Sequence, residues 1–501
     1  MRKIISLLLL LPLGFTAQTL PYMDTSFNGY GRVNLSIWNN NYIGCTAVQP
    51  DKKVLIGGST HMNDPITKSS PLIARYNENG TPDPTFGING LLYDVNGPGG
   101  SISDIKILSD GKMIIAGAWG YSAFIGRLLP DGTFDNSFGT QGKTNVSSIT
   151  VRKIEILQDG SIVGFAISDW SAKLIKMNSD GQIDTTFGVA GESAINIGFT
   201  KIIGNAMTRQ PDGKIIVGGA AVSNSSYPET NQLFLARYHS NGTKDTSFGN
   251  NGLLLYSQDA REVRDIAFTA SGKILVLGEK PYASTTSIGP TSMFYLLQFN
   301  IDGTLDTMFN NTGSVPFGYN YYSSIKIDSQ NKIYVSGSNF TYNNYYHFKR
   351  IMRLNEDGSF DTTFGTNGRY DTTSRVYPSE YKSLNTMSFA PDGKMVVAGH
   401  ANLPNFTMFA LRLGISQVNL SVSDVSADVE NISVYPNPTQ DYFLVKSKDD
   451  VLTLELTNNL GQNIFKSEKT TKLEVYSIPA GNYFLKVKTA KEEKTFKVIK
   501  K

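Results

Sequence analysis

An octet of the form Asp-x-x-Phe-x-x-x-Gly occurs seven times in this 501-residue chain, beginning at Asp24, Asp83, Asp135, Asp184, Asp245, Asp306 and Asp361. Its phenylalanines, Phe27, Phe86, Phe138, Phe187, Phe248, Phe309 and Phe364, lie 49 to 61 residues apart. A second element alternates with it in seven copies, a turn followed by a short apolar run, as in DKKVLIGG from Asp51, DGKMIIAG from Asp110 and DGKMVVAG from Asp392. Two interleaved series mean one structural unit repeated. Units this small cannot each bury a core alone, so the copies must stack on one another.

Turn chemistry identifies the unit. Asp104-Ile-Lys-Ile-Leu108 alternates, turns at Asp110-Gly111 and resumes at Met113, which predicts a hairpin. Ala123 to Leu128 supplies a third run, Asp131-Gly132 another turn, and Lys143 to Val146, after the octet, a fourth run. Four short strands per repeat match the blade of a β-propeller. No 3.6-residue apolar period supports a helical solenoid, and 47 Gly with only 18% charged residues argue against a bundle. The expected fold is therefore all-β, a seven-bladed β-propeller over residues 18–415. The first octet has no strands before it, and the last apolar run, Met408 to Leu413, has no octet after it. Gly31 to Ile37 is thus expected to complete the last blade, a 3 + 1 closure that joins the chain ends in one sheet and leaves no open edge.

Within the octet, Phe is expected to wedge between blades, Asp to bond the backbone of its own turn, and Gly to supply positive φ. The functional alternative is calcium, since Asn178, Asp180 and Asp184 bring side-chain oxygens together. Several copies lack one of these oxygens and none completes a twelve-residue loop. No cofactor and no metal are expected. The octet together with the Asp-Gly-Lys hairpin resembles the delta-60 repeat family of exported bacterial proteins over about residues 24–413, which implies a propeller scaffold. Asn28 and Asn310 replace the Gly after Phe, and Gln330-Asn331 replaces Asp-Gly, exchanges that a turn accepts.

The turns at Asp-Gly-Lys and before the octet are short, so the remaining connections share the opposite face. They are long and irregular, and variable loops on a rigid scaffold are where function usually sits. Aromatic residues collect in or near them: Trp38, Tyr42, Trp119, Tyr121, Trp170, Tyr227, Tyr282, Tyr321, Tyr322, Tyr345, Tyr346 and Tyr377. Flat rings beside Asn and Ser suit stacking on sugars or on a partner chain. The expected function is non-catalytic binding of a glycan or surface protein through this face. The alternatives are a secreted lyase- or glycosidase-type enzyme and a purely structural surface component. Of four histidines, His61 and His400 end equivalent strands in blades that become neighbours on closure, with Asp64 close in sequence. They are the candidate acid–base pair, and no other catalytic group is nominated. A net charge of +3 gives no reason to expect nucleic acid, and one cysteine excludes a disulfide framework.

The chain ends read as addresses. Residues 1–17, MRKIISLLLLLPLGFTA, have the basic start, short apolar stretch and small residues of a signal peptide, and nothing later predicts a membrane span. Residues 416–430 read as a linker. Residues 431–501 alternate like a small β-sandwich and carry Tyr435-Pro436-Asn437-Pro438, Gly461 in Leu-Gly-Gln, and Gly481 and Tyr483 in Ala-Gly-Asn-Tyr. This order of elements resembles the type A sorting domain of the type IX secretion system of Bacteroidetes. The resemblance implies the secretion machinery as a partner, passage through periplasm and outer membrane, and release or attachment at the cell surface.

Overall fold

The computed structural model describes residues 19–37, 40–61, 69–93, 99–120, 122–222, 231–281, 292–341, 346–372, 382–402, 406–417, 432–458 and 462–501. The chain divides into two compact units, Met1–Leu420 and Ser421–Lys501. Among the described residues the one helical element is a single 3-10 turn, Phe309–Asn311.

In the larger unit the strands pair antiparallel in quartets. Quartet A is Asn40–Val48, Val54–His61, Ser69–Tyr76 and Leu91–Tyr93. Quartet B is Gly100–Ile107, Met113–Trp119, Ser122–Leu128 and Lys143–Val146. Quartet C is Thr150–Ile156, Ile162–Ile167, Ala172–Met177 and Glu192–Ala194. Quartet D is Lys201–Arg209, Ile215–Val222, Asn231–Tyr238 and Leu253–Tyr256. Quartet E is Glu262–Phe268, Ile274–Pro281, Ser292–Phe299 and the first part of the long strand Ser314–Ile327. The second part of that strand opens quartet F, with Ile333–Thr341, Tyr346–Leu354 and Arg369–Thr372. Quartet G is Lys382–Phe389, Met395–Asn402 and Phe406–Gln417, and its fourth place is filled from the start of the chain by Arg32–Leu35. Thr19–Met23 continues that edge along residues 413–417.

Each quartet's second strand is apolar on both faces, as in Val54-Leu-Ile, because both faces are covered. Val54 and Ile56 pack with Val396, Ala398 and Met408 of quartet G, while Leu55 packs with Met113 and Ile115 of quartet B. First strands contact one another in succession from A to G, and G contacts A. Every first strand also carries a one-residue bulge at the same register, at Gly44, Ser103, Arg152, Asn205, Arg264, Ser323 and Asn385. At Gly44, Asn205 and Ser323 the bulge residue meets the next quartet. A Cβ on Gly44 would stand 2.2 Å from the Ile102 carbonyl, Asn205 Nδ2 donates to the Val263 carbonyl, and Ser323 Oγ donates to the Leu384 carbonyl.

The octet joins each quartet to the next. Phe86 is fully buried beneath Gly132 of the following quartet, and the Gly87 N–H donates to the Asp131 carbonyl there. The residue after Phe has φ of 50–57° in all seven copies, which Gly adopts freely and Asn tolerates at positions 28 and 310. In six copies the octet carboxylate accepts the N–H and hydroxyl two residues on, as Asp83 does from Thr85, and Asp306 accepts the Met308 N–H alone. It also forms a buried ion pair with the third strand: Asp83 with Arg75, Asp135 with Arg127, Asp245 with Arg237 and Asp361 with Arg353. Asp24 pairs in the same way with Arg412, 388 residues away.

The smaller unit has a three-stranded sheet, Ile432–Tyr435, Tyr442–Ser447 and Lys472–Glu474, and a four-stranded sheet, Val451–Asn458, Asn463–Glu468, Gly481–Thr489 and Glu493–Lys500. Phe443 and Val445 of the first share one buried cluster with Leu454, Leu456, Leu485 and Val487 of the second.

Candidate functional site

Antiparallel pairing brings the start of each first strand and the end of each second strand to the face opposite the short Asp-Gly turns. On this face Tyr42 stands between the two candidate histidines, its ring centroid 5.1 Å from that of His61 and 6.1 Å from that of His400, both edge-on. The strand ends therefore bring the histidines to one place, with an aromatic ring between them. Burial lowers both imidazole pKa values, so both are neutral at pH 7. Ser383 Oγ lies 3.2 Å from the His400 ring nitrogens and donates to Asn385 Oδ1 at 2.7 Å. Asp64, the proposed companion, lies outside the described residues.

The same register position recurs in other quartets. Tyr42, Glu262, Tyr321 and Ser383 each precede the buried residue before the bulge, and Tyr42 and Tyr321 are exposed. Glu262 is buried, which pushes its carboxyl pKa up. It accepts from Asn205 Nδ2 at 2.8 Å and pairs with Arg264 at 3.2 Å, and Arg264 also bonds Glu279. Arg152, the bulge residue of quartet C, is exposed. Trp170, in the short connection between the second and third strands of quartet C, is 57% exposed, with the Lys201 ammonium 3.9 Å from its ring centroid.

Two of the expected ligand-binding aromatics are placed differently. Tyr322 is a core residue, 2% exposed, because it occupies the register of Ile43, Ile102 and Leu384. No loop separates quartets E and F, so strand alternation turns Tyr321 out and Tyr322 in. Trp119 ends a strand rather than a loop and packs edge-on against Phe124 and Phe134, with Lys143 over its ring. Trp38, Tyr121, Tyr227, Tyr282, Tyr345 and Tyr377, and the side chain of Tyr346, lie outside the described residues. At the candidate calcium turn, Asn178 Oδ1 accepts the N–H groups of Asp180 and Gln182, and Asp184 pairs with Lys176 at 3.1 Å. Among the described residues no group of three His, Cys, Asp or Glu is arranged to hold a metal ion.

Sequence reasoning missed the innermost strands of the larger unit. One cavity of about 420 Å³ is lined by residues from the first strands of all the quartets A to G. Six charged side chains line it: Asp104, Lys106, Lys153, Glu155, Asp265 and Lys326. The alternation Asp-x-Lys and Lys-x-Glu at 104–106 and 153–155 was the available signal, readable only once these strands are known to be innermost.

In the smaller unit Tyr435-Pro436 and Asn437-Pro438 are cis peptide bonds, and Asn437 bonds the backbone of Lys497 and Ile499 through both amide atoms. Tyr483 is buried and its hydroxyl donates to the Pro479 carbonyl. Gly481 opens the strand beside it, and Gly461 lies outside the described residues. No helix among the described residues is long and apolar enough to cross a membrane.

Comparison with known proteins agrees with this division. Residues 49–86, 108–138, 210–248 and 330–364 match the family model of a β-propeller domain of unknown function, DUF5122. No curated protein matches the chain. Similar solved structures include PorZ, described as a surface component of the type IX secretion system of Porphyromonas gingivalis, at 10% identity and a TM-score of 0.31, covering 90% of this chain and 68% of PorZ. A protein of unknown function from Dyadobacter fermentans has 13% identity and a TM-score of 0.41, covering 77% of this chain and 100% of its own. The β-propeller domain of the Trilobed protease of Pyrococcus furiosus has 12% identity and a TM-score of 0.39, covering 75% and 94%. Residues 433–501 match the family model of the secretion system C-terminal sorting domain, so the chain joins DUF5122-type propeller repeats to a type IX sorting tail and is addressed to the cell surface or the medium.

Proposed function

We propose that this exported protein binds a glycan, without catalysis, at the long-loop mouth of a seven-bladed ring. The observation that carries the reading is Tyr42, exposed at the start of quartet A and flanked by neutral His61 and His400, with Ser383 and Asn385 alongside. A ring face edged by neutral hydrogen-bonding groups fits a pyranose better than a proton relay. Tyr321 and Trp170 extend the aromatic surface around the same face.

The ring reading is supported by contacts between successive first strands and by Arg32–Leu35 completing quartet G. Residues 1–17 serve as signal peptide, 416–430 as linker, and 431–501 as a sandwich that engages the secretion machinery. The test is a glycan array probed with the purified protein and with Tyr42→Ala. Binding to a defined glycan that Tyr42→Ala abolishes supports the reading. Silence on the array with capture of a surface protein would replace glycan by protein, and loss of an enzymatic turnover in His61→Ala and His400→Ala would overturn the non-catalytic reading.

A further inference from the structure

The central cavity lies toward the other end of the first strands, near the short turns. Beside it Val48, Ile107, Leu108 and Phe389 form an apolar rim that opens on that face. Its carboxylates and its ammonium groups are engaged to different degrees. Asp104 accepts the N–H groups of Ile105 and, in the next quartet, Ile154. Asp265 likewise accepts those of Ile266 and Ile325. Both carboxylates are committed to peptide groups that the bulges expose. Lys106 pairs with Glu155, at the same register in the following quartet, at 3.1 Å.

Lys326 occupies the register of Lys106, but the residue facing it from the following quartet is Ser388, whose hydroxyl already donates to the Thr46 carbonyl at 2.9 Å. Lys153 occupies the register of Asp104 and faces Ala206. Among the described residues neither the Lys153 nor the Lys326 ammonium has a hydrogen-bonding or ion-pair partner, although both line the cavity. Burial alone would lower the Lys153 pKa, yet Asp104 and Asp265 raise it, so the group stays charged. Both side chains are half-buried and face the cavity, where an oxyanion would supply acceptor and charge together.

We infer that the short-turn end of the central channel is a binding site for a small oxyanion, a carboxylate or a phosphate, held between Lys153 and Lys326 with any apolar body resting on the rim of Ile107, Leu108 and Phe389. This site lies on the opposite face from the glycan mouth and stands or falls separately from it. The six cavity charges cancel formally, so recognition comes from unmatched donors rather than from net charge.

The test is isothermal titration of the full mature protein with sodium phosphate and, separately, sodium hexanoate, in physiological chloride. Saturable one-site binding of either acid is expected. It should weaken about tenfold or more in Lys326→Met, as for loss of a charge-assisted hydrogen bond, and much less in Lys326→Arg. Phosphate alone binding identifies a phosphate site, and tighter hexanoate binding identifies an apolar acid. Lys326→Met is chosen because no carboxylate depends on it, and its melting temperature checks folding. No saturable binding of either acid, or binding unchanged in a folded Lys326→Met, overturns the inference.

Discussion

Replacing Arg412 by Met tests whether the chain ends lock the larger unit. Arg412 is buried, its Nε lies 2.7 Å from Asp24 Oδ2, its Nη2 donates to Ser26 Oγ at 2.9 Å, and a third bond reaches the Glu78 carbonyl in quartet A. Its guanidinium also lies 4.7 Å from the centroid of Phe27. Methionine keeps the apolar stem and removes all four contacts. Breaking a buried ion pair by deleting one partner costs about 3–5 kcal/mol. Lys394, 2.9 Å from the same Asp24 oxygen and 27% exposed, remains to hold the carboxylate. The expected cost is therefore about 2–3 kcal/mol. The loss should appear where the ends meet: amide exchange in residues 19–35 and 406–417 accelerates by roughly 30- to 150-fold, the equivalent of that free energy. The control is Arg127→Met, which removes the same contacts from Asp135 but joins residues only eight apart. It should accelerate exchange around residues 122–146 and leave residues 19–35 protected. Mass-spectrometric hydrogen exchange on both variants decides the matter. If Arg412→Met leaves the N-terminal strands protected, or Arg127→Met exposes them equally, closure by this pair is wrong.

Acid should weaken the octets together. Burial alone would raise the Asp83 pKa, but the Thr85 hydroxyl and N–H and the charges of Arg75 and Lys53 hold it at about 2, below its ordinary 3.8; Asp245 and Asp361 are lowered in the same way. A depressed carboxyl pKa stabilises fully above the ordinary value and loses that contribution as pH falls, so melting temperatures should hold down to about pH 4 and drop steeply toward pH 2. A flat profile across that range would refute it. Tyr321→Ala and Tyr322→Ala, adjacent in sequence, should differ: the exposed site changes stability by about 0.5 kcal/mol or less, while the buried one costs about 3–5 kcal/mol, measured by denaturant unfolding. Deleting residues 431–501 should leave the larger unit folded but retained in the periplasm, as fractionation would show; undiminished export would refute the role of the tail.

The repeat, its turns and the sorting tail were all legible in the chain, because each is carried by local chemistry: Asp-Gly turns, apolar runs buried on both faces, and a Phe at fixed offset. Exposed Tyr321 and buried Tyr322 show where that legibility stops. Which of two neighbouring tyrosines faces outward depends on register with quartet F, and register is a property of the paired strands. The octet Asp was legible as a turn residue, but not as the partner of a third-strand Arg, which lies eight residues earlier in quartets A, B, D and F and 388 residues away at closure. The charged channel was the least legible feature. Lys106, Lys153 and Lys326 look like ordinary polar positions on alternating strands, and only the stacking of the innermost strands turns them toward a shared cavity. Sequence alone determined the units and the address; tertiary structure decided which side chains meet, because burial and pairing are set by neighbours that the chain does not place next to one another.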